Sequence, residues 1–137
     1  MSLVLDASIA LAWALPDEDS ALAQHVFEII EGDGGWVPDI WRLEVANGLQ
    51  IGVRRGRIDI GLRGGILADL ADFPVRVDGE TDRHAWGGTL TLASRLDLTL
   101  YDACYLELAL RRHLPLATLD RNLRDAAAKA GVGVIDA

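Results

Sequence analysis

Short apolar runs alternate along this chain with longer stretches of helical spacing, and that alternation limits the folds open to it. The runs are Leu3-Val4-Leu5, Trp36-Val37-Pro38, Phe73-Pro74-Val75-Arg76-Val77, Leu116-Ala117-Thr118 and Val132 to Ile135. Runs this brief form strands buried on both faces, which pair in parallel under helices on either side. Helices are expected over Ala7 to Trp13, Ser20 to Ile30, Ile40 to Val53 with Asp39 as N-cap, and Ile58 to Leu70. Others are expected from about Asp82 to Leu96, weakened at Gly87-Gly88, and over Leu100 to Arg112, opened by Thr99 and closed by Pro115. The last covers Asn122 to Ala130, with Gly131 as its C′ residue. Leu15-Pro16-Asp17-Glu18 and Gly32-Asp33-Gly34-Gly35 read as turns. The expected fold is an α/β/α sandwich with a short parallel sheet. With no linker, repeat or low-complexity tract, residues 1–137 read as one domain.

Half of the 137 residues are apolar, which excludes a disordered chain. The apolar runs fall well short of the ~20 residues a membrane span needs. No basic segment precedes the first run, so no signal peptide is expected. A single cysteine, Cys104, forms no internal disulfide, which fits a reducing cytoplasm. The net charge of −8 argues against a binder held to nucleic acid by its own basic surface. It leaves open an enzyme that meets phosphates through metal ions.

The acids are informative by position. Asp6 stands where the first strand hands over to a helix, and Asp120 repeats the arrangement after Leu116-Ala117-Thr118. In a parallel sheet both lie at the carboxyl edge, where open α/β folds bind ligands. Each, taken singly, also fits a helix N-cap. Asp102 lies three residues after Thr99, the spacing of a capping box, but opens a helix that is apolar nearly all round and so buried. Glu44 and Asn47 share a helix face with Ile40, Leu43 and Ile51. A carboxylate in such a stripe needs a partner or a cation. An exposed Glu44 paired with a neighbouring Arg is the alternative.

Four carboxylates brought together raise one another's pKa values. Divalent cations remove that conflict, and an all-oxygen donor set favours Mg²⁺ or Mn²⁺. Such a site suits phosphodiester hydrolysis.

Four segments then carry a family resemblance: Leu5-Asp6-Ala7-Ser8, Arg42-Leu43-Glu44-Val45-Ala46-Asn47, Tyr101-Asp102-Ala103-Cys104-Tyr105-Leu106, and Thr118-Leu119-Asp120-Arg121-Asn122-Leu123. Their order and spacing resemble PIN-domain nucleases, most of all the VapC toxins of type II toxin–antitoxin pairs. The resemblance spans the whole chain. It implies an Mg²⁺- or Mn²⁺-dependent endoribonuclease held inactive by a cognate antitoxin. Asp6, Glu44, Asp102 and Asp120 would be the catalytic and metal-site acids. The family's fourth acid is its most variable, and Asp125 is the substitute for Asp120. Ser8, Asn47 and Thr118 match positions that support the metal's surroundings. The resemblance also favours a homodimer, while the lone cysteine and the short apolar runs are the grounds for expecting a cytoplasmic location and no membrane partner. A solitary PIN nuclease in RNA processing, or a PIN-like module that binds RNA or protein without catalysis, are the alternatives.

No competing chemistry is visible. His25, His84 and His113 are dispersed, and Cys104 reads as a core thiol. A phosphatase acting through a covalent aspartate wants a second Asp where this chain has Ser8, and a receiver-like signalling domain wants paired N-terminal acids. Arg54-Arg55-Gly56-Arg57 is the one basic cluster. It reads either as a solvated helix end or as a contact for RNA phosphates or an acidic antitoxin segment. Arg111-Arg112-His113 reads as charge complementing a helix C-terminus. Four Trp invite a partner surface, with core packing the default for each.

Overall fold

Leu3, Val4 and Leu5 have no exposed surface, and Val4–Leu5 forms strand β1 at the centre of the protein. The computed structural model describes residues 1–16 and 20–137, so the turn expected at Leu15-Pro16-Asp17-Glu18 runs outside the described residues. Strand β1 lies between β2 (Gly35–Val37) and β4 (Leu116–Ala117), and β3 (Val75–Val77) pairs beyond β2. All three pairings are parallel, with Val4 opposite Trp36 and Leu116, and Leu5 opposite Ala117. Parallel strands need crossovers, and helices supply them. Between β1 and β2 lie α1 (Ala7–Ala14) and α2 (Ala21–Asp33). Between β2 and β3 lie α3 (Trp41–Arg54) and α4 (Ile60–Ala71). Between β3 and β4 run α5 (Thr81–His84), α6 (Leu90–Leu96) and α7 (Leu100–Arg112), and α8 (Arg121–Lys129) follows β4. The result is the expected parallel sheet flanked by helices.

Four local departures have physical causes. The expected last strand is reduced to one bridge, Val134 to Leu116. The chain is still closing α8 there: Val132 N–H bonds Ala127 C=O at 2.9 Å and Gly131 N–H bonds Ala128 C=O at 3.2 Å, with Gly131 at φ +77°. That Schellman closure leaves little chain to pair. The helix expected over 82–96 is split by a π turn, Ala85–Thr89, in which Gly87 is non-helical. Helix α4 starts later than expected, with Asp59 accepting Leu62 N–H at 2.7 Å as its cap. Asp39 does not cap α3; Ile40 takes the N-cap position. The Asp39 backbone amide donates to Thr81 Oγ1 at 2.9 Å, a tertiary bond that ties the start of α3 to α5. Helix α7 spans the expected Leu100–Arg112, with His113 in the left-handed conformation (φ 56°) at its C-cap, ahead of Pro115.

Two contacts set the frame of the site. A Cβ on Gly48 would lie 2.5 Å from Leu11 Cδ1, so glycine lets α3 settle close on α1. Trp13 packs edge-on against Phe27 and Phe73 and donates its indole N–H to Ala23 C=O at 2.7 Å, locking α1 to α2. Of the four Trp, only Trp86 stands out in solvent, 92% exposed. Among the described residues no helix is long and apolar enough to cross a membrane.

Candidate functional site

The register Leu5 to Ala117 means that Asp6 and Thr118 leave the sheet side by side at its carboxyl edge. Asp6 is only 6% exposed. Its Oδ2 accepts hydrogen bonds from Ser8 Oγ at 2.6 Å and Thr118 Oγ1 at 2.7 Å. The two hydroxyls lie 3.3 Å apart, and the amides of Leu119 and Asp120 donate to Ser8 Oγ and Thr118 Oγ1, both at 3.0 Å. Asp6 stands at the N-cap position of α1 yet makes no side-chain cap bond, so capping does not explain it. Asp120 does both jobs. Its Oδ1 accepts Leu123 N–H at 3.1 Å, and its charge is felt by Asp6 and Asp102.

Glu44 reaches the site by a different route from the one expected. Leu43 is 73% exposed and Ile51 also faces solvent, so the supposed apolar stripe is not the buried one. Trp41, Val45, Leu49 and Gly52 form the buried face of α3. Glu44 sits half-buried on its flank, where Tyr105 of α7 donates its hydroxyl to Oε1 at 2.5 Å. No Arg partner holds it among the described residues. Asp102 lies in the first turn of α7, and Thr99 Oγ1 accepts its amide at 3.1 Å.

The carboxyls perturb one another. Burial pushes Asp6 above the ordinary range, Ser8 and Thr118 pull it back, and Asp120 adds to the rise. Burial also raises Glu44, against the Tyr105 bond and with the Asp6 charge. Asp102 is pushed up to about 6, first by burial and then by Asp6, Asp120 and Glu44. Tyr105 is raised far above the phenol range by burial and by Asp6 and Glu44. Among the described residues none of the four acids forms an ion pair. Asp102 feels the charges of the other three acids, yet no three acids, His or Cys among the described residues close tightly enough to cage an ion alone.

A family profile described as PIN domain matches residues 3–129. The chain belongs to the PIN-domain family. It is 30% identical to Ribonuclease VapC3 of Pyrobaculum aerophilum over 91% of this chain and 94% of that one. The fold matches the crystal structure of PAE2754 from Pyrobaculum aerophilum with a TM-score of 0.71 at 25% identity, covering 99% of this chain and 89% of that one.

The remaining expected positions of this PIN domain divide. Ser8 and Thr118 sit within the site. Asn47 is exposed and bonds none of the four acids among the described residues. Arg54 and Arg55 are exposed and line a shallow pocket of about 370 Å³ with Ile51. Arg54 lies roughly 15 Å along α3 from Glu44 at the helical rise, so the basic cluster flanks the PIN site at a distance. Arg57 is partly buried. Asp125 is exposed and its charge is not among those acting on the clustered acids, whereas Asp120's is.

Arg111 and Arg112 are not simply complements to a helix end. Arg111 forks onto Asp78, with Nη2 to Oδ2 at 2.6 Å and Nη1 to Oδ1 at 3.0 Å. It also bonds Glu107, and Arg112 reaches Asp78 at 3.3 Å while stacking 3.5 Å from the Trp36 ring. Asp78 is completely buried, and its partners hold it below the usual carboxylate range against burial. The only sequence trace of this knot is a Glu107–Arg111 pair one helical turn apart. Tyr105, too, gave no signal beyond lying on an apolar helix.

Proposed function

We propose that this PIN domain is a ribonuclease of the VapC type that hydrolyses RNA phosphodiester bonds with Mg²⁺ or Mn²⁺. The single observation that carries the reading is the meeting of Asp6, Glu44, Asp102 and Asp120, with three of them raised and no ion pair to any of the four among the described residues. Like charges gathered this way are costly unless a cation joins them. Four carboxylates fit a hard divalent ion that keeps several of its waters, which is consistent with a looser arrangement than an all-protein cage. The bound ion supplies a water of lowered pKa and charge neutralisation at the phosphate.

The chain's own groups do the rest. Ser8 and Thr118 hold one oxygen of Asp6 and so aim the other toward the site. With a cation bound, the charged forms of Asp102 and Glu44 would be favoured, because its charge would offset the burial and repulsion that raise them. Asp120 keeps one oxygen on the Leu123 amide of α8 and offers the other. The net charge of −8 repels RNA, so phosphate recognition falls to the bound cation and to Arg54, Arg55 and Arg57 flanking the site. The same arginines suit an acidic segment of an antitoxin.

The resemblance to VapC further supports reading this chain as the toxin of a toxin–antitoxin pair, with a homodimer and a cytoplasmic location as parts of the same proposal. A short upstream reading frame encoding a DNA-binding head and an amphipathic tail is the expected genetic mark. Its absence would point to a solitary nuclease.

The direct test is cleavage of single-stranded RNA by the purified protein. We expect activity with Mg²⁺ or Mn²⁺, none in EDTA, and a loss of at least a hundredfold in Asp6→Asn. Unchanged metal-dependent cleavage in that variant would overturn the assignment.

A further inference from the structure

We infer that Tyr105 is a positioning residue that sets where Glu44 stands relative to Asp6; the inference rests on the metal-site reading above. Tyr105 has no exposed surface, and its hydroxyl donates to Glu44 Oε1 at 2.5 Å across 61 residues of chain. One buried hydroxyl therefore ties α7 to the carboxylate on α3.

The surroundings support that role. Glu44 sits on the flank of α3, with exposed Leu43 beside it, and a free glutamate there has several rotamers to choose from. The Tyr105 bond selects one of them. The ring is buried among α7 residues that have almost no exposed surface, so the hydroxyl is rigidly placed. A catalytic carboxylate displaced by an ångström loses rate steeply.

The test uses wild type, Tyr105→Phe, Glu44→Gln and the double variant, each checked by near-ultraviolet circular dichroism. Phe keeps the buried ring, so the fold is retained. Mn²⁺ affinity is read by electron paramagnetic resonance, alongside kcat and KM on single-stranded RNA. Tyr105→Phe should weaken Mn²⁺ binding about three- to tenfold and lower kcat about tenfold, with KM unchanged. In the Glu44→Gln background the same change should have no further effect on Mn²⁺ affinity. Unaltered Mn²⁺ binding in Tyr105→Phe, or an equal loss in both backgrounds, would overturn the role of Tyr105 while leaving the metal site standing. A wild type that binds no Mn²⁺ would overturn both.

Discussion

Thr118 donates its hydroxyl to Asp6 at 2.7 Å, closing a contact between residues 112 positions apart. Neither group is accessible enough for water to replace the other. Thr118→Val keeps the shape and removes the donor, leaving Ser8 alone to offset burial of the Asp6 charge. A bond to a buried charge is worth about 1.5–3 kcal/mol. Cleavage near neutral pH should fall roughly 10- to 100-fold. The sign follows from the raised Asp6 carboxyl: it rises further, so the acid limb of the pH–rate profile moves to higher pH and activity recovers in alkali. A profile identical to wild type would count against this support.

Asp102 gives the metal-free protein an unusual pH response. Its carboxyl is raised from 3.8 to about 6, so the folded state holds the proton more tightly than the unfolded one. The stability this contributes is present below the unfolded value and lost as pH rises through about 6. In EDTA the protein should therefore be less stable at pH 8 than at pH 5. Asp102→Asn should stabilise it at pH 8 by on the order of 1–2 kcal/mol while abolishing cleavage. Urea denaturation at the two pH values measures both effects.

Asp78 and Arg111 should be a pure stability pair. Removing Arg111 leaves a fully buried carboxylate with only Arg112, at 3.3 Å, as a charged partner. Arg111→Met should cost about 3–5 kcal/mol, whereas Arg54→Met, on an exposed side chain, should change stability by less than about 0.5 kcal/mol. Chemical denaturation of the two variants makes the comparison.

What was legible in the sequence was local. Strands β1, β3 and β4 fall inside their apolar runs and β2 starts one residue before its run; β1 and β4 are wholly buried, so those runs leave little choice. Asp6 and Asp120 were found because a strand-to-helix junction in a parallel sheet has a predictable location. Glu44 was singled out on an incorrect stripe, since Leu43 and Ile51 are apolar but face outward, and hydropathy alone does not say which of two helix faces is covered. Asp39 stands one residue before the N-cap, Ile40, and its backbone amide bonds Thr81, 42 residues away. The Tyr105–Glu44 and Arg111–Asp78 bonds, 61 and 33 residues apart, leave no periodic trace.

Titration of the metal-free protein with Mn²⁺, followed by electron paramagnetic resonance, asks whether these four acids exist to hold a cation. Saturable binding in wild type that is lost in Asp102→Ala, with the fold intact, is the expected result. Binding that is absent in wild type, or unchanged in Asp102→Ala, would contradict it.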